Sequence, residues 1–229
     1  MFGKNAIMSQ VIDPIGRLNV VEVFYTIQGE GPYSGCPSVF VRLAGCNLRC
    51  KFCDTDFESN ARSVTVDELI DEVKTQSRNK TKLVVITGGE PLIQNITPFC
   101  KALAREQFRI QIETAGTVWV PELEDVALML VCSPKTGKVH PQIQKRCKHF
   151  KYIVGQGDGF ENGWFRSATQ PNSKVVDLAE APDSATIWVQ PRDDHNEAAN
   201  AVNFNIAKEL CLKYGFRFSL QLHKLLGVA

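Results

Sequence analysis

The chain has 229 residues, 44% of them apolar and 22% charged, and 26 Lys and Arg stand against 25 Asp and Glu for a net charge of +1. That is the balance of an ordinary globular protein, long enough to bury a core without disulfides, and it lacks the basic surplus or basic run that direct binding of nucleic acid requires. No apolar run reaches the ~18 residues of a membrane-crossing helix, and the opening MFGKNAIMSQ has no apolar centre of an export signal, so a cytoplasmic location and no membrane partner are expected.

Residues 1–18 read as an irregular extension and residues 19–229 as a single domain. Val20–Thr26 has strand composition and leads into the loop Gln28-Gly29-Glu30-Gly31-Pro32. Ser38–Leu43 is apolar and β-branched and runs straight into Ala44-Gly45-Cys46. Thr65-Val66-Asp67-Glu68 has the capping-box form, and Leu69, Ile70 and Val73 then share one helical face. Lys82–Thr87 reads as a buried strand. Thr97-Pro98 opens a helix that extends to about Gln107, because Pro in the first turn removes no needed hydrogen bond. Further strands are expected at Arg109–Glu113, Ala127–Cys132, Phe150–Val154, Lys174–Leu178 and Thr186–Gln190. A long helix from about Glu197 to Tyr214 stops at Gly215, and Arg217–Leu222 is a last strand.

Strand, helix and strand in succession imply parallel pairing with right-handed crossovers. A closed eight-unit barrel takes ~250 residues and more helical crossovers than this chain offers. The expected fold is therefore α/β, a partial, open (β/α) barrel of mostly parallel strands. Its reactive groups should lie on loops at the C-terminal strand ends.

Eight cysteines are present, and three of them fall within Gly45-Cys46-Asn47-Leu48-Arg49-Cys50-Lys51-Phe52-Cys53-Asp54-Thr55, a C-x3-C-x2-C run. Three thiolates this close suit a soft-metal centre. Structural zinc takes four protein ligands, whereas three cysteines on a four-iron cluster leave one iron open, as catalysis needs. A zinc site completed by a distant Cys or His, or three unligated thiols, are the bland alternatives. Cys36, Cys100, Cys132, Cys147 and Cys211 read as small buried hydrophobes.

Four other strand ends are polar. They are Thr87-Gly88-Gly89-Glu90-Pro91, Glu113-Thr114-Ala115-Gly116, Ser133-Pro134-Lys135 and Gln190-Pro191-Arg192-Asp193. Each alone reads as a loop as readily as a site. Together, at one edge of a parallel sheet, they would line one mouth.

With Phe52 before its last cysteine, the C-x3-C-x2-C run resembles the radical S-adenosylmethionine enzymes. That resemblance implies a 4Fe-4S cluster on Cys46, Cys50 and Cys53, whose open iron binds S-adenosylmethionine and cleaves it to a 5′-deoxyadenosyl radical. From about Val20 onward, the chain resembles 7-carboxy-7-deazaguanine synthases. The resemblance lies in Tyr25–Gly31, Val39–Thr55, Thr87–Pro91, Gln111–Thr117, Ser133–Lys135, Gln190-Pro191 and Leu220–Lys224. It implies conversion of 6-carboxy-5,6,7,8-tetrahydropterin to 7-carboxy-7-deazaguanine with loss of ammonia, on the route to queuosine and other deazapurines. It also implies magnesium, a homodimer and a flavodoxin-type reductant.

By position, the resemblance gives Ile27, Gln28, Gly29, Glu30, Arg42, Thr87 and His223 to the substrate and Thr55 to magnesium. Spacing alone would favour Asp54 as that ligand. The cofactor would meet Phe52, Cys53, Asp54, Gly89, Glu90, Glu113, Ser133, Pro134, Lys135, Gln190 and Asp193. Two other functions fit parts of the pattern, a small activating enzyme that places a radical on a protein partner and a zinc-binding interaction module.

Overall fold

A computed structural model of the chain describes residues 6–11, 16–161, 163–170 and 172–228. A nine-stranded sheet organises it, built from β1 (Leu18–Ile27), β2 (Pro37–Leu43), β3 (Arg62–Val64), β4 (Leu83–Gly88), β5 (Arg109–Thr114), β6 (Met129–Cys132), β7 (His149–Val154), β11 (Thr186–Pro191) and β12 (Arg217–Phe218). Their spatial order is β12-β11-β7-β6-β5-β4-β2-β1-β3. Every pairing from β2 through β12 is parallel, and β1 is antiparallel to both β2 and β3. The strands form the expected open, partial barrel with few helical crossovers.

Helices α1 (Val66–Ser77), α2 (Thr97–Arg105), α3 (Pro141–Arg146), α4 (Glu197–Tyr214) and α5 (Leu222–Leu226) accompany the sheet. The capping box expected at Thr65 is present: its hydroxyl accepts from Glu68 N–H and the Glu68 carboxylate accepts from Thr65 N–H. Leu69, Ile70 and Val73 are buried on one face of α1, as their spacing predicts. Helix α4 ends at Gly215, whose φ of 74° is the left-handed value a residue with a Cβ rarely adopts.

Strand alternation divides the molecule. In β7, Phe150, Tyr152 and Val154 join the main hydrophobic cluster, while Lys151 and Ile153 face a cavity. The same period of two puts Ile110 and Ile112 of β5 in the core and Glu113 at the cavity, and Val41 and Leu43 of β2 in the core and Arg42 at the cavity.

Several expectations change. The strand expected at Lys174–Leu178 shrinks to β10 (Val176–Asp177), which lies outside the main sheet. It pairs with β9 (Trp164–Ser167), and β9 with β8 (Gly159–Glu161), in a small antiparallel sheet that sequence reading missed among its glycines. The exposure of Val175 and Val176, above 40% each, explains why apolar character misled there. The expected strand Arg217–Leu222 stops at Phe218, because pairing with β11 ends at Val189, and Leu222 instead opens α5. Helix α3 went unread because its N-cap is His140, whose Nδ1 accepts from Gln142 N–H, rather than the usual Ser, Thr, Asp or Asn. The main sheet begins at Leu18, inside the expected extension. Residues 6–11 are also tied to the body: Met8 N–H donates to the Cys46 carbonyl at 2.8 Å and Val11 N–H to the Ile93 carbonyl at 2.7 Å. Residues 1–5 and 12–15 of that extension lie outside the described residues.

Among the described residues, no helix is long and apolar enough to cross a membrane.

Candidate active site

Because β2, β4, β5, β6, β7 and β11 are parallel, their C-terminal ends open at one edge. A cavity of about 410 Å³ lies there, lined also by inward-facing residues of β2, β5, β7 and β11. The cysteine loop follows β2 and sits over this mouth. Strand β1 is antiparallel, with Ile27 opposite Pro37. The loop after it therefore enters from the other end of β2, and Ile27, Gln28 and Glu30 line the cavity from that side.

Cys46, Cys50 and Cys53 all line the cavity and none is in a disulfide. Burial pushes the Cys46 thiol up to about 12 and raises those of Cys50 and Cys53 as well, so bound metal is what would hold them as thiolates at neutral pH. Hydrogen-bond donors already point at two of the sulfurs. Leu48 N–H lies 3.4 Å from Cys46 Sγ and Gln170 Nε2 lies 3.5 Å from Cys50 Sγ. Such donors suit metal-bound thiolates and help set a cluster's potential. No three His, Cys, Asp or Glu side chains among the described residues converge on a single ion. A four-iron cluster does not need them to, since each thiolate takes a different iron. The donor set thus fits the cluster.

Gly88 and Gly89 end β4 against this loop. A Cβ on Gly88 would lie 2.2 Å from the Leu43 carbonyl oxygen, and one on Gly89 would lie 2.2 Å from the Gly45 oxygen and 2.6 Å from Cys46 Cβ. The close approach that these glycines permit is therefore to the cysteine loop, and Gly89 lines the cavity as well. Glu90 is turned away. It is 1% exposed and does not line the cavity. Its carboxylate accepts from the Thr114 hydroxyl at 2.7 Å, Ala115 N–H at 2.7 Å and Leu92 N–H at 3.1 Å. In this position the Glu90 carboxylate fastens the β4 end to the β5 end.

The inner wall is polar and charged. Lys151 Nζ forms an ion pair with Glu30 and stands 3.8 Å from Glu113 Oε2. Gln190 and Gln221 each donate to Glu30 Oε1 at 3.0 Å. Gln28 donates to Glu113 Oε1 at 2.8 Å and Gln111 does so at 3.0 Å. Burial pushes the Glu30 carboxyl up, but the Lys151 ammonium and the hydrogen bonds from Lys151 and Gln221 outweigh it and hold the group below the ordinary carboxylate value. Burial alone would lower the Lys151 ammonium, yet Glu30 and Glu113 raise it above its ordinary value. The wall thus presents two carboxylates against one buried ammonium. Toward the mouth, the half-buried Lys135 lies near Cys50, and its Nζ donates to the Ser133 carbonyl at 2.9 Å.

Most of the expected site residues come together here: Phe52 just before the last cluster cysteine, Asp54 and Thr55 just after it, and Arg42, Thr87, Glu113, Ser133, Gln190, Asp193 and His223 all line the cavity. Arg42 Nε pairs with Glu22 at 2.6 Å and its guanidinium lies over the Phe24 ring. Thr55 Oγ1 donates to Asp54 Oδ1 at 3.3 Å. Gly29 and Pro134 do not line the cavity. A Cβ on Gly29 would lie 2.0 Å from His223 Nδ1, so this glycine makes room for the histidine.

Sequence reasoning missed Lys151, Gln170, Gln221 and Lys224. Lys151 had a signal, a lysine at an alternate position of an otherwise apolar strand. Gln170 had none.

The family model of the radical SAM superfamily matches residues 41–155. A 7-carboxy-7-deazaguanine synthase of Rhodospirillum rubrum is 41% identical over the whole of both chains. One of Rickettsia prowazekii is 35% identical over all of this chain and 96% of its own. The crystal structure of QueE from Escherichia coli superposes with a TM-score of 0.65 at 23% identity, covering 90% of this chain and 95% of that one, and so matches the fold. By full-length identity and by the family model, this chain belongs to the 7-carboxy-7-deazaguanine synthases of the radical S-adenosylmethionine superfamily.

Proposed function

We propose that the protein converts 6-carboxy-5,6,7,8-tetrahydropterin to 7-carboxy-7-deazaguanine and ammonia, in 7-deazapurine (queuosine) biosynthesis. Substrate and product differ by ammonia alone, so the reaction is redox-neutral and suits S-adenosylmethionine as a regenerated cofactor. The observation that carries this reading is the placement of the three-cysteine loop opposite a polar wall of Gln28, Glu30, Thr87 and Glu113 within one cavity of about 410 Å³, of a size for small molecules rather than a protein segment.

Cys46, Cys50 and Cys53 would hold the cluster. When bound and reduced, the cluster and S-adenosylmethionine supply the carbon-centred radical that starts the rearrangement. The chain's own residues orient and shield. Phe52, Asp54, Gly89, Ser133, Lys135, Gln190 and Asp193 surround the space beside the cysteines and are assigned to S-adenosylmethionine; Pro134 would act through its neighbours. Ile27, Gln28, Arg42, Thr87 and His223 are assigned to the pterin. The Arg42 guanidinium would exchange its Glu22 partner for the substrate carboxylate, a planar match. Glu30, held below the ordinary carboxylate value by Lys151, and Glu113 beside it offer acceptors to the N–H groups of a pterin edge. Glu113 thereby moves from the cofactor side to the substrate side. Thr55 would hold magnesium, with Asp54 beside it engaged by Lys224. The nine-stranded sheet, which takes strands from Leu18 through Phe218, supports treating residues 19–229 as one domain. A homodimer, a flavodoxin-type reductant and a cytoplasmic location complete the proposal.

Anaerobic incubation of the reconstituted protein with S-adenosylmethionine, magnesium, a reductant and the carboxylated pterin tests this reading. Mass spectrometry should find a product lighter by ammonia. A pterin recovered unchanged, while S-adenosylmethionine is consumed, would contradict it.

A further inference from the structure

Helix α5 lies across the cavity mouth, yet little apolar burial holds it there. It has only 5 residues and none is buried. Leu225 and Leu226 are 71% and 51% exposed. An isolated helix of this length is unstable in water, so its position must come from polar contacts. Leu222 N–H donates to the Gly29 carbonyl at 3.0 Å. Gln221 Nε2 donates to Glu30 Oε1 at 3.0 Å. Lys224 Nζ bridges Asp193 Oδ2 at 2.7 Å and Asp54 Oδ2 at 3.2 Å.

The bridge joins three parts of the chain. Asp54 directly follows the last cysteine of the loop, Asp193 follows β11, and Lys224 belongs to α5. No other cation lies within ion-pair distance of Asp54 among the described residues. Asp193 is otherwise held from its own side, by His195 N–H at 2.9 Å and Asn200 Nδ2 at 2.8 Å. Without Lys224, Asp54 and Asp193 would share no lysine between them, and α5 would keep only the 3.5 Å hydrogen bond from its N-cap Gln221 to Asp54 Oδ2 as a tie to these two carboxylates.

We propose that Lys224 is a positioning residue, an electrostatic latch that holds α5 across the cavity mouth by bridging Asp54 and Asp193. Closing the latch places Gln221 on Glu30 and seats His223 in the space that Gly29 leaves. A ligand that orders the cysteine loop and the β11 end aligns both carboxylates for Lys224, so occupation of the mouth and closure over the cavity reinforce each other. The inference rests on the cavity being the catalytic site, but the latch itself can be tested without turnover.

The test is amide exchange read by mass spectrometry on the anaerobically reconstituted protein, comparing wild type, Lys224→Met and Lys224→Arg. Two half-exposed ion pairs bias an opening equilibrium by roughly five- to thirtyfold. The peptide spanning α5 should therefore exchange faster by about that factor in Lys224→Met. Wild type at about 1 M salt, where charges are screened beyond ~3 Å, should move the same way. Lys224→Arg should stay near wild type, and the α4 peptide should be unchanged in all cases. With the pterin as substrate, Lys224→Met should raise KM more than it lowers kcat. Equal α5 exchange in wild type and Lys224→Met would overturn the latch, as would acceleration shared by α4. If no variant turns over the pterin but α5 exchange responds as stated, the latch stands and the proposed reaction falls.

Discussion

Replacing Lys151 by Met removes the one ammonium between Glu30 and Glu113 while keeping an apolar stem of similar length. The Lys151 side chain is 6% exposed, Glu30 13% and Glu113 20%, so solvent screens this group only weakly. Breaking a buried pair by deleting one partner costs about 3–5 kcal/mol, because the remaining charge is left uncompensated. That is a large part of the ~5–15 kcal/mol that keeps a domain folded. At roughly 2–4 °C per kcal/mol for a chain of this size, the melting temperature should fall by about 6–20 °C. The sign of the pH dependence follows from the two shifts. Glu30 sits below its ordinary value of 4.5, so its contribution is present above that pH and is lost as pH falls through the folded value. Lys151 sits above its ordinary value of 10.5, so its contribution is present below that pH and is lost as pH rises through the folded value. The difference between wild type and Lys151→Met should therefore be flat from about pH 5 to pH 10 and shrink under acid. Adding Glu30→Gln to Lys151→Met should restore about 0.5–3 kcal/mol, since the stranded carboxylate is gone. Thermal melts of the anaerobic protein across this pH range are the assay. A loss below about 1 kcal/mol in Lys151→Met would put the pair in the class of surface ion pairs and refute the argument.

Other positions give separable outcomes. Gly29→Ala puts a Cβ 2.0 Å from His223 Nδ1, so it should displace the histidine and raise the KM for the pterin with little change in the melting temperature; steady-state kinetics decide it. Gly89→Ala drives a methyl into Gly45 and Cys46 and should lower the iron content after reconstitution, measured as iron per chain, whereas full iron loading would show that the loop can yield. Gln170→Leu removes the donor 3.5 Å from Cys50 Sγ and should shift the cluster's midpoint potential to more negative values in a redox titration. Thr55→Val should raise the magnesium concentration needed for half-maximal turnover, and an unchanged magnesium dependence would remove Thr55 as the ligand.

The main sheet was legible because its strands are apolar, β-branched and buried on both faces, so β2, β4, β5, β7 and β11 emerge within a residue or two of their expected spans. The cavity wall was legible in part. Arg42, Thr87, Glu113 and Gln190 interrupt apolar strands at alternate positions, and Lys151 does the same in His149–Val154. The first four were reached through the family resemblance and the polar strand ends, and period-two reading of the strands would have added the fifth. What sequence could not show was contact across distance. Gln170 reaches a cysteine 120 positions away and Lys224 an aspartate 170 positions away, with no local pattern to announce either. The partners of Glu90 were hidden for a related reason. A carboxylate beside two glycines at a strand end has the form of a ligand contact, but the hydroxyl and amide that claim it belong to β5 and the residue after it. The small antiparallel sheet and α5 went unread because their elements are only two to five residues long, too short to show a hydrophobic period.

The central claim is that Cys46, Cys50 and Cys53 hold a cluster that drives conversion of the carboxylated pterin in the cavity beneath them. Its most direct test is anaerobic turnover with limiting S-adenosylmethionine, comparing wild type with Cys50→Ala. The account predicts 7-carboxy-7-deazaguanine in excess over the S-adenosylmethionine supplied in wild type and none in the variant, and undiminished product from Cys50→Ala would contradict it.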